Sequence, residues 1–169
     1  MKQFVPSDVC LSCDGCCRFK EKESEWRPKV ACEEMPSVPA RGLADVILRE
    51  DKIDSSGRIK TVPCDGFHIC SFFNPDDHAC RIHNNKPFEC QLYPFILLNT
   101  GEKIALSVHL NCPYIQETRN TGAFDSYVEY LKRFFKRDDV LLLVRENPQL
   151  AGDYEEYRSE LEVLFPLEI

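Results

Sequence analysis

The sequence predicts an α+β fold: a small single domain in which short antiparallel hairpins and irregular metal-binding loops have C-terminal helices packed against them. Three observations predict it. All ten cysteines fall before about residue 115, in a stretch crowded with turn formers. Within that stretch the turn signals "NPDD" and "NTG" separate short apolar runs, the pattern of hairpins. Beyond it no cysteine occurs, and apolar residues recur at helical spacing. The expected organisation is a cysteine-cluster region over residues 1–115 and a helical region over 116–169 of the same domain.

Taken in chain order, the first feature is "CLSCDGCC", residues 10 to 17, four thiols within eight positions. Residues 44–62, "ADVILREDKIDSSGRIKTV", offer a pair of short strands about the "DSSG" turn, with residues 43–50 equally readable as one or two helical turns. "NPDD" (Asn74 to Asp77) between "CSFF" and "ACRIH" reads as a turn joining two strands, which would bring Cys70 and Cys80 near each other. "YPFILLNTGEKIALSVHLNCP" reads as a second hairpin turning at Asn99, Thr100 and Gly101, flanked by Cys90 and Cys112. Phe124, Tyr127, Val128, Leu131, Phe134 and Phe135 then form the stripe of an amphipathic helix. Tyr154, Tyr157, Leu161, Leu164 and Phe165 repeat that spacing up to Pro166. Both stripes are core-forming rather than cofactor-stacking in this reading.

Composition excludes several classes. With 43% hydrophobic and 29% charged residues, and no repeat or low-complexity tract, the chain reads as soluble and globular. A formal charge of −7 argues against nucleic acid as a partner, because phosphate binding needs clustered Lys and Arg. The basic residues Lys132, Arg133, Lys136 and Arg137 read as a solvated helix face. The N-terminal residues contain no apolar run of signal-peptide length. The longest apolar run, "VLLLV" at 140–144, is far below the roughly 20 residues of a membrane span. These features predict a cytoplasmic protein with no membrane partner. In a reducing compartment thiols serve metals or catalysis rather than disulfides, and ten cysteines in 169 residues fall below the roughly 8–10% of disulfide scaffolds.

Eight cysteines form the candidate site: Cys10, Cys13, Cys16 and Cys17 in the compact loop, with Cys70, Cys80, Cys90 and Cys112 downstream. A C-x-x-C-x-x-C loop can turn three thiolates toward one centre while backbone N–H groups point at the sulfurs. A more distant cysteine before proline, as in Cys112-Pro113, suits the fourth position of a cluster. Adjacent side chains diverge, so Cys16 and Cys17 are expected to serve two centres, and eight thiols would complete two four-thiolate sites. Closed zinc sites are usually built from two C-x-x-C pairs, and no second pair exists here. An iron–sulfur cubane accepts widely spaced ligands, so one or two [4Fe–4S] clusters are favoured, with Zn2+ as the alternative.

On "CLSCDGCC", "ICSFFNPDDHACRIHNNKPFECQLYPF" and "NCP", the chain resembles the YkgJ-type cysteine-cluster family, whose CxxCxxCC signature marks a zinc- or iron-chelating domain. The resemblance covers roughly residues 10–113 and implies the same eight cysteines as metal ligands. Lys86-Pro87 stands where that family commonly has Arg-Pro. Cys32 and Cys64 fall outside the pattern and read as ordinary buried or spare thiols. Part of the signature is also similar to flagellin lysine methylases, which implies a cluster-dependent modification enzyme as a further alternative.

His68, His78, His83 and His109 each lie close in sequence to a candidate cysteine, and they read as surface or hydrogen-bonded residues rather than ligands. Asp138-Asp139 and Glu155-Glu156 read as helix-capping or solvated acids, and Asp76-Asp77 as turn residues. The chain has no G-x-G-x-x-G after a strand, no P-loop and no G-x-S-x-G. No catalytic residue is nominated. The expected functions are electron transfer or redox accessory work with a partner protein, a structural zinc module, or cluster-dependent modification.

Overall fold

The computed structural model describes residues 1–13, 15–32, 34 and 50–169. It is a mixed α+β chain of short antiparallel sheets and helices, which divides into two compact units: Pro6–Gln91, and Met1–Val5 together with Leu92–Ile169. The possible strand or helical turn at 43–49 lies outside the described residues.

The unit Pro6–Gln91 is built on a three-stranded antiparallel sheet of β1 (Arg18–Phe19), β2 (Thr61–Cys64) and β3 (Phe67–Cys70), in the order β1-β3-β2. β2 and β3 are joined by Asp65-Gly66, both at positive φ (46° and 81°), so that Cys64 pairs with Phe67 across a two-residue loop. An Asp-Gly pair at positive φ is the turn whose twist matches the strands it joins. A second ladder pairs β4 (Phe73–Asn74) with β5 (Ala79–Cys80) around the "NPDD" turn. Phe19, Val30, Ile53, Ile59, Ile69, Phe72, Phe73 and Ile82 form the core, and Cys70 is buried among them. Each such aromatic or aliphatic side chain contributes about 2 kcal/mol on burial. Among the described residues the "DSSG" turn is flanked by single bridges, Ile53 with Ile59 and Lys29 with Arg58, and the segment's last two residues, Thr61 and Val62, enter β2.

Asp54 explains that compactness. Its carboxylate accepts from the Ser56 N–H (2.8 Å), the Ser56 hydroxyl (2.6 Å), the Arg58 N–H (3.1 Å) and the Arg27 guanidinium (2.7 Å). A carboxylate that closes its own turn replaces the ladder that longer strands would supply.

In the other unit β6 (Phe95–Asn99), β7 (Ile104–His109) and β8 (Leu161–Pro166) form an antiparallel sheet in that order. The β6–β7 hairpin turns at Asn99 to Gly101 as the sequence predicts, with the Thr100 N–H donating to the Lys103 carbonyl at 2.9 Å. The helix predicted from Phe124 is α4 (Gly122–Phe134), capped by Thr121 and burying Phe124, Tyr127, Leu131 and Phe134. Phe4 stacks into this core, 4.8 Å from Tyr127 and 5.6 Å from Phe95 between ring centres. α5 (Asp138–Glu146) follows, holding "VLLLV", and Arg137 pairs with Asp139 at its start. Among the described residues no helix is long and apolar enough to cross a membrane.

The C-terminal stripe does not make the second helix its spacing predicts. Glu155–Glu160 is a 3-10 turn and Leu161–Pro166 is β8. The edge of β7 offers unpaired backbone donors and acceptors, and pairing with it outweighs local periodicity. A shift of register between Leu106 and Ser107 also breaks the simple alternation of β8, which hides the strand from a period-two reading.

Candidate metal centre

The cysteine octet folds as two short turns. α1 (Ser7–Ser12) carries Cys10, Cys13 follows in extended conformation, and the 3-10 turn Gly15–Cys17 presents Cys16 and Cys17 immediately before β1. α1 lies against β5, whose last residue is Cys80. Cys70 closes β3, and Cys90 sits in α2 (Phe88–Leu92). Three different devices, a looped octet, a sheet end and a helix, thus supply sulfur within Pro6–Gln91.

Six of these thiols act on one another. Cys17 is held protonated chiefly by its hydrogen bond with Cys16, then by burial and the proximity of Cys16, Cys70 and Cys90. Burial pushes the Cys70 thiol up to about 12; the Phe72 N–H opposes this and Cys80 and Cys16 add to it. Burial also raises Cys80, against the Ile82 N–H and Lys86, with Cys16 and Cys10 contributing. Cys90, half-buried in α2, is raised well above the usual range by desolvation and then by Cys70, Glu89, Cys16 and Cys80. Cys16 recurs in all four environments. Crowded, shielded thiols resist ionising on their own, and a bound cation removes that penalty by replacing the protons.

Two features favour thiolates once a cation arrives. Backbone N–H groups of Phe72 and Phe73 donate to the Cys70 sulfur, and that of Ile82 to Cys80. Lys86, only 7% exposed, places its ammonium Nζ 3.9 Å from the Cys10 Sγ.

Charged side chains fix the elements that carry the cysteines. Glu34 accepts from the Phe88 N–H at the start of α2 (2.5 Å) and from the Ala31 N–H (3.0 Å). Glu89, beside Cys90, takes the backbone N–H of Lys29 and pairs with its Nζ at 3.2 Å, Lys29 being 1% exposed. A shielded ion pair of this kind orients α2 because removing either charge leaves the other poorly compensated in a largely dry site.

The Cys16 and Cys17 thiols, carried by a 3-10 turn, are hydrogen-bonded to each other and both lie within electrostatic reach of Cys70 and Cys90. One expectation is corrected in detail. Cys70 and Cys80 do interact, but not across the hairpin. Cys80 pairs with Phe73, and Cys70 ends the preceding strand.

The remaining candidates are placed as follows. Cys13 is half-buried after α1. Cys112 lies in the other unit, buried, where it precedes α3 (Pro113–Thr118) with Pro113 at the first helical position. Cys32 is exposed and Cys64 packs against the core. None of the ten cysteines forms a disulfide.

No histidine is among the largest influences on the four raised thiols. His109 is bonded to the Tyr93 hydroxyl (2.9 Å) and Glu160 (3.2 Å), and His78 packs edge-on against Phe73. Burial and Lys86 hold the His83 imidazole below its usual range. The groups gathered here are sulfur, a donor suited in chemistry to zinc or iron. Among the described residues no three His, Cys, Asp or Glu side chains stand arranged to hold a metal ion. Lys86 is visible in the sequence only as the lysine before Pro87, and its burial beside the Cys10 sulfur carries no signal there.

A family model described as "CxxCxxCC: Putative zinc- or iron-chelating domain" matches residues 9–121. Neither a curated protein nor a solved structure matches the chain.

Proposed function

The chain belongs to the CxxCxxCC family of zinc- or iron-chelating domains, and from that premise we propose that it holds an iron–sulfur centre of the [4Fe–4S] type and works in electron transfer or as a redox accessory protein. The observation that carries the reading is that six thiols, Cys10, Cys16, Cys17, Cys70, Cys80 and Cys90, are linked through one another's electrostatic surroundings, without a histidine among the main influences on the four raised ones. An all-sulfur shell drawn from three separate elements suits a cubane, whose irons occupy separate corners. Backbone N–H groups directed at Cys70 and Cys80 supply the hydrogen bonds that tune such clusters. When bound, the cluster supplies one-electron chemistry. The residues of this chain hold it, shield it with Phe19, Phe72 and Phe73, and direct N–H dipoles at its sulfurs.

Within this reading the eight cysteines of the sequence, Cys13 and Cys112 included, remain the full ligand candidates. Four are needed for one cluster. Protein prepared without oxygen is expected to be brown, to absorb broadly near 400 nm, and to contain iron and acid-labile sulfide in equal amounts. A colourless protein that retains zinc and lacks sulfide would replace this reading with the structural zinc one.

A further inference from the structure

We propose that Lys86 is the internal counter-cation of the thiol site, donating an N–H to the sulfur of Cys10 and setting how much negative charge the filled site carries. The inference rests on the metal-binding reading above but adds a residue that is not a metal donor. Lys86 is 7% exposed, and its Nζ lies 3.9 Å from the Cys10 Sγ. Among the described residues no carboxylate pairs with it, whereas Lys29, the other deeply buried lysine, sits against Glu89 and Glu25. A shielded ammonium without an anionic partner is costly to keep. The anion available in this neighbourhood is sulfur: Cys10 at its tip, and Cys80 within electrostatic reach.

The backbone explains the reach. Lys86 follows the 3-10 turn His83–Asn85 in extended conformation, and Pro87 leads directly into α2. The Lys86 carbonyl accepts from the Gln91 side-chain amide at 2.8 Å, which ties the lysine to the helix that carries Cys90. Lys86 thus stands between Cys80 and Cys90 in sequence, with its ammonium on Cys10. Metal bound by several thiolates carries net negative charge, and one buried cation offsets part of it. Lys86 is therefore a positioning residue, acting through the sulfur of Cys10.

The test compares wild-type protein, K86R, K86Q and K86M, each loaded without oxygen with iron and sulfide, and separately with zinc alone. Affinity is read by chelator competition, and alkylation of each cysteine is read by mass spectrometry. K86M and K86Q are expected to bind metal about 10–100-fold more weakly, the usual effect of removing an outer-sphere partner. Cys10 should be the first sulfur to become reactive in both, whereas K86R should stay within a few-fold of wild type. Circular dichroism of each metal-free variant checks folding, and if K86M does not fold, K86Q decides. Affinity and Cys10 protection unchanged in the neutral variants would overturn the inference while leaving metal binding intact. Wild-type protein that retains neither iron nor zinc would remove the reading beneath it, and the inference with it.

Discussion

Single residues carry the account first. Cys70 is buried in the core within electrostatic reach of Cys80, Cys16 and Cys90, whereas Cys32 is exposed. Replacing Cys70 by serine is therefore expected to abolish most metal retention, and Cys32→Ser to leave metal content unchanged, as read by elemental analysis of the purified variants. Lys29→Met removes the ammonium opposite the largely shielded Glu89 carboxylate and is expected to cost about 3–5 kcal/mol in denaturant unfolding; the double change with Glu89→Gln should recover much of it. Asp54 gives a pH signature. Burial alone would raise its carboxyl, but hydrogen bonds from Ser56, Arg58 and Arg27 hold it down at about 2. An unfolded aspartate titrates near pH ~3.9, so this group stabilises the fold fully above about pH 4. That contribution is lost as the pH falls from 4 toward 2. Solvent access at the site limits it to about 1–2 kcal/mol. Thermal unfolding of Asp54→Ala should accordingly differ from wild type at pH 7 and converge with it near pH 2.

At the scale of elements, the turns show what local chemistry can and cannot reveal. "NTG" announces the β6–β7 hairpin, and Gly101 sits there at φ 86° with open space where a Cβ would stand. Gly101→Ala should thus cost about 1 kcal/mol through backbone strain alone, measurable as a lowered Tm with an unchanged fold. The Thr121 cap and the stripe from Phe124 to Phe134 likewise make α4 readable, because periodicity and burial coincide there. Asp65-Gly66 is an equally strong turn signal, but so many turn formers surround it that β2–β3 does not stand out from its neighbours. β8 is different in kind. Its helical spacing is genuine, and only the distant edge of β7 decides otherwise, a pairing that local sequence does not contain.

Across the whole molecule, the α+β class, the sulfur chemistry and the family were legible because cysteine spacing is a covalent constraint that needs no coordinates. How the thiols share neighbours was not. Cys16 and Cys17 are hydrogen-bonded to each other within a 3-10 turn, and Lys86 reaches Cys10 because the chain between β5 and α2 folds it inward. Neither fact follows from spacing. The thiols are gathered but stand in no finished coordination shell among the described residues, so metal is expected to tighten the unit Pro6–Gln91. Amide hydrogen exchange should slow around residues 10–19 and 67–90 on loading. The most direct measurement is cysteine-resolved alkylation of anaerobically loaded protein, alongside its metal and sulfide content. Cys10, Cys16, Cys17, Cys70, Cys80 and Cys90 should be protected together and released together by a chelator, while Cys32 reacts throughout. Equal labelling of those six with and without metal would contradict the account.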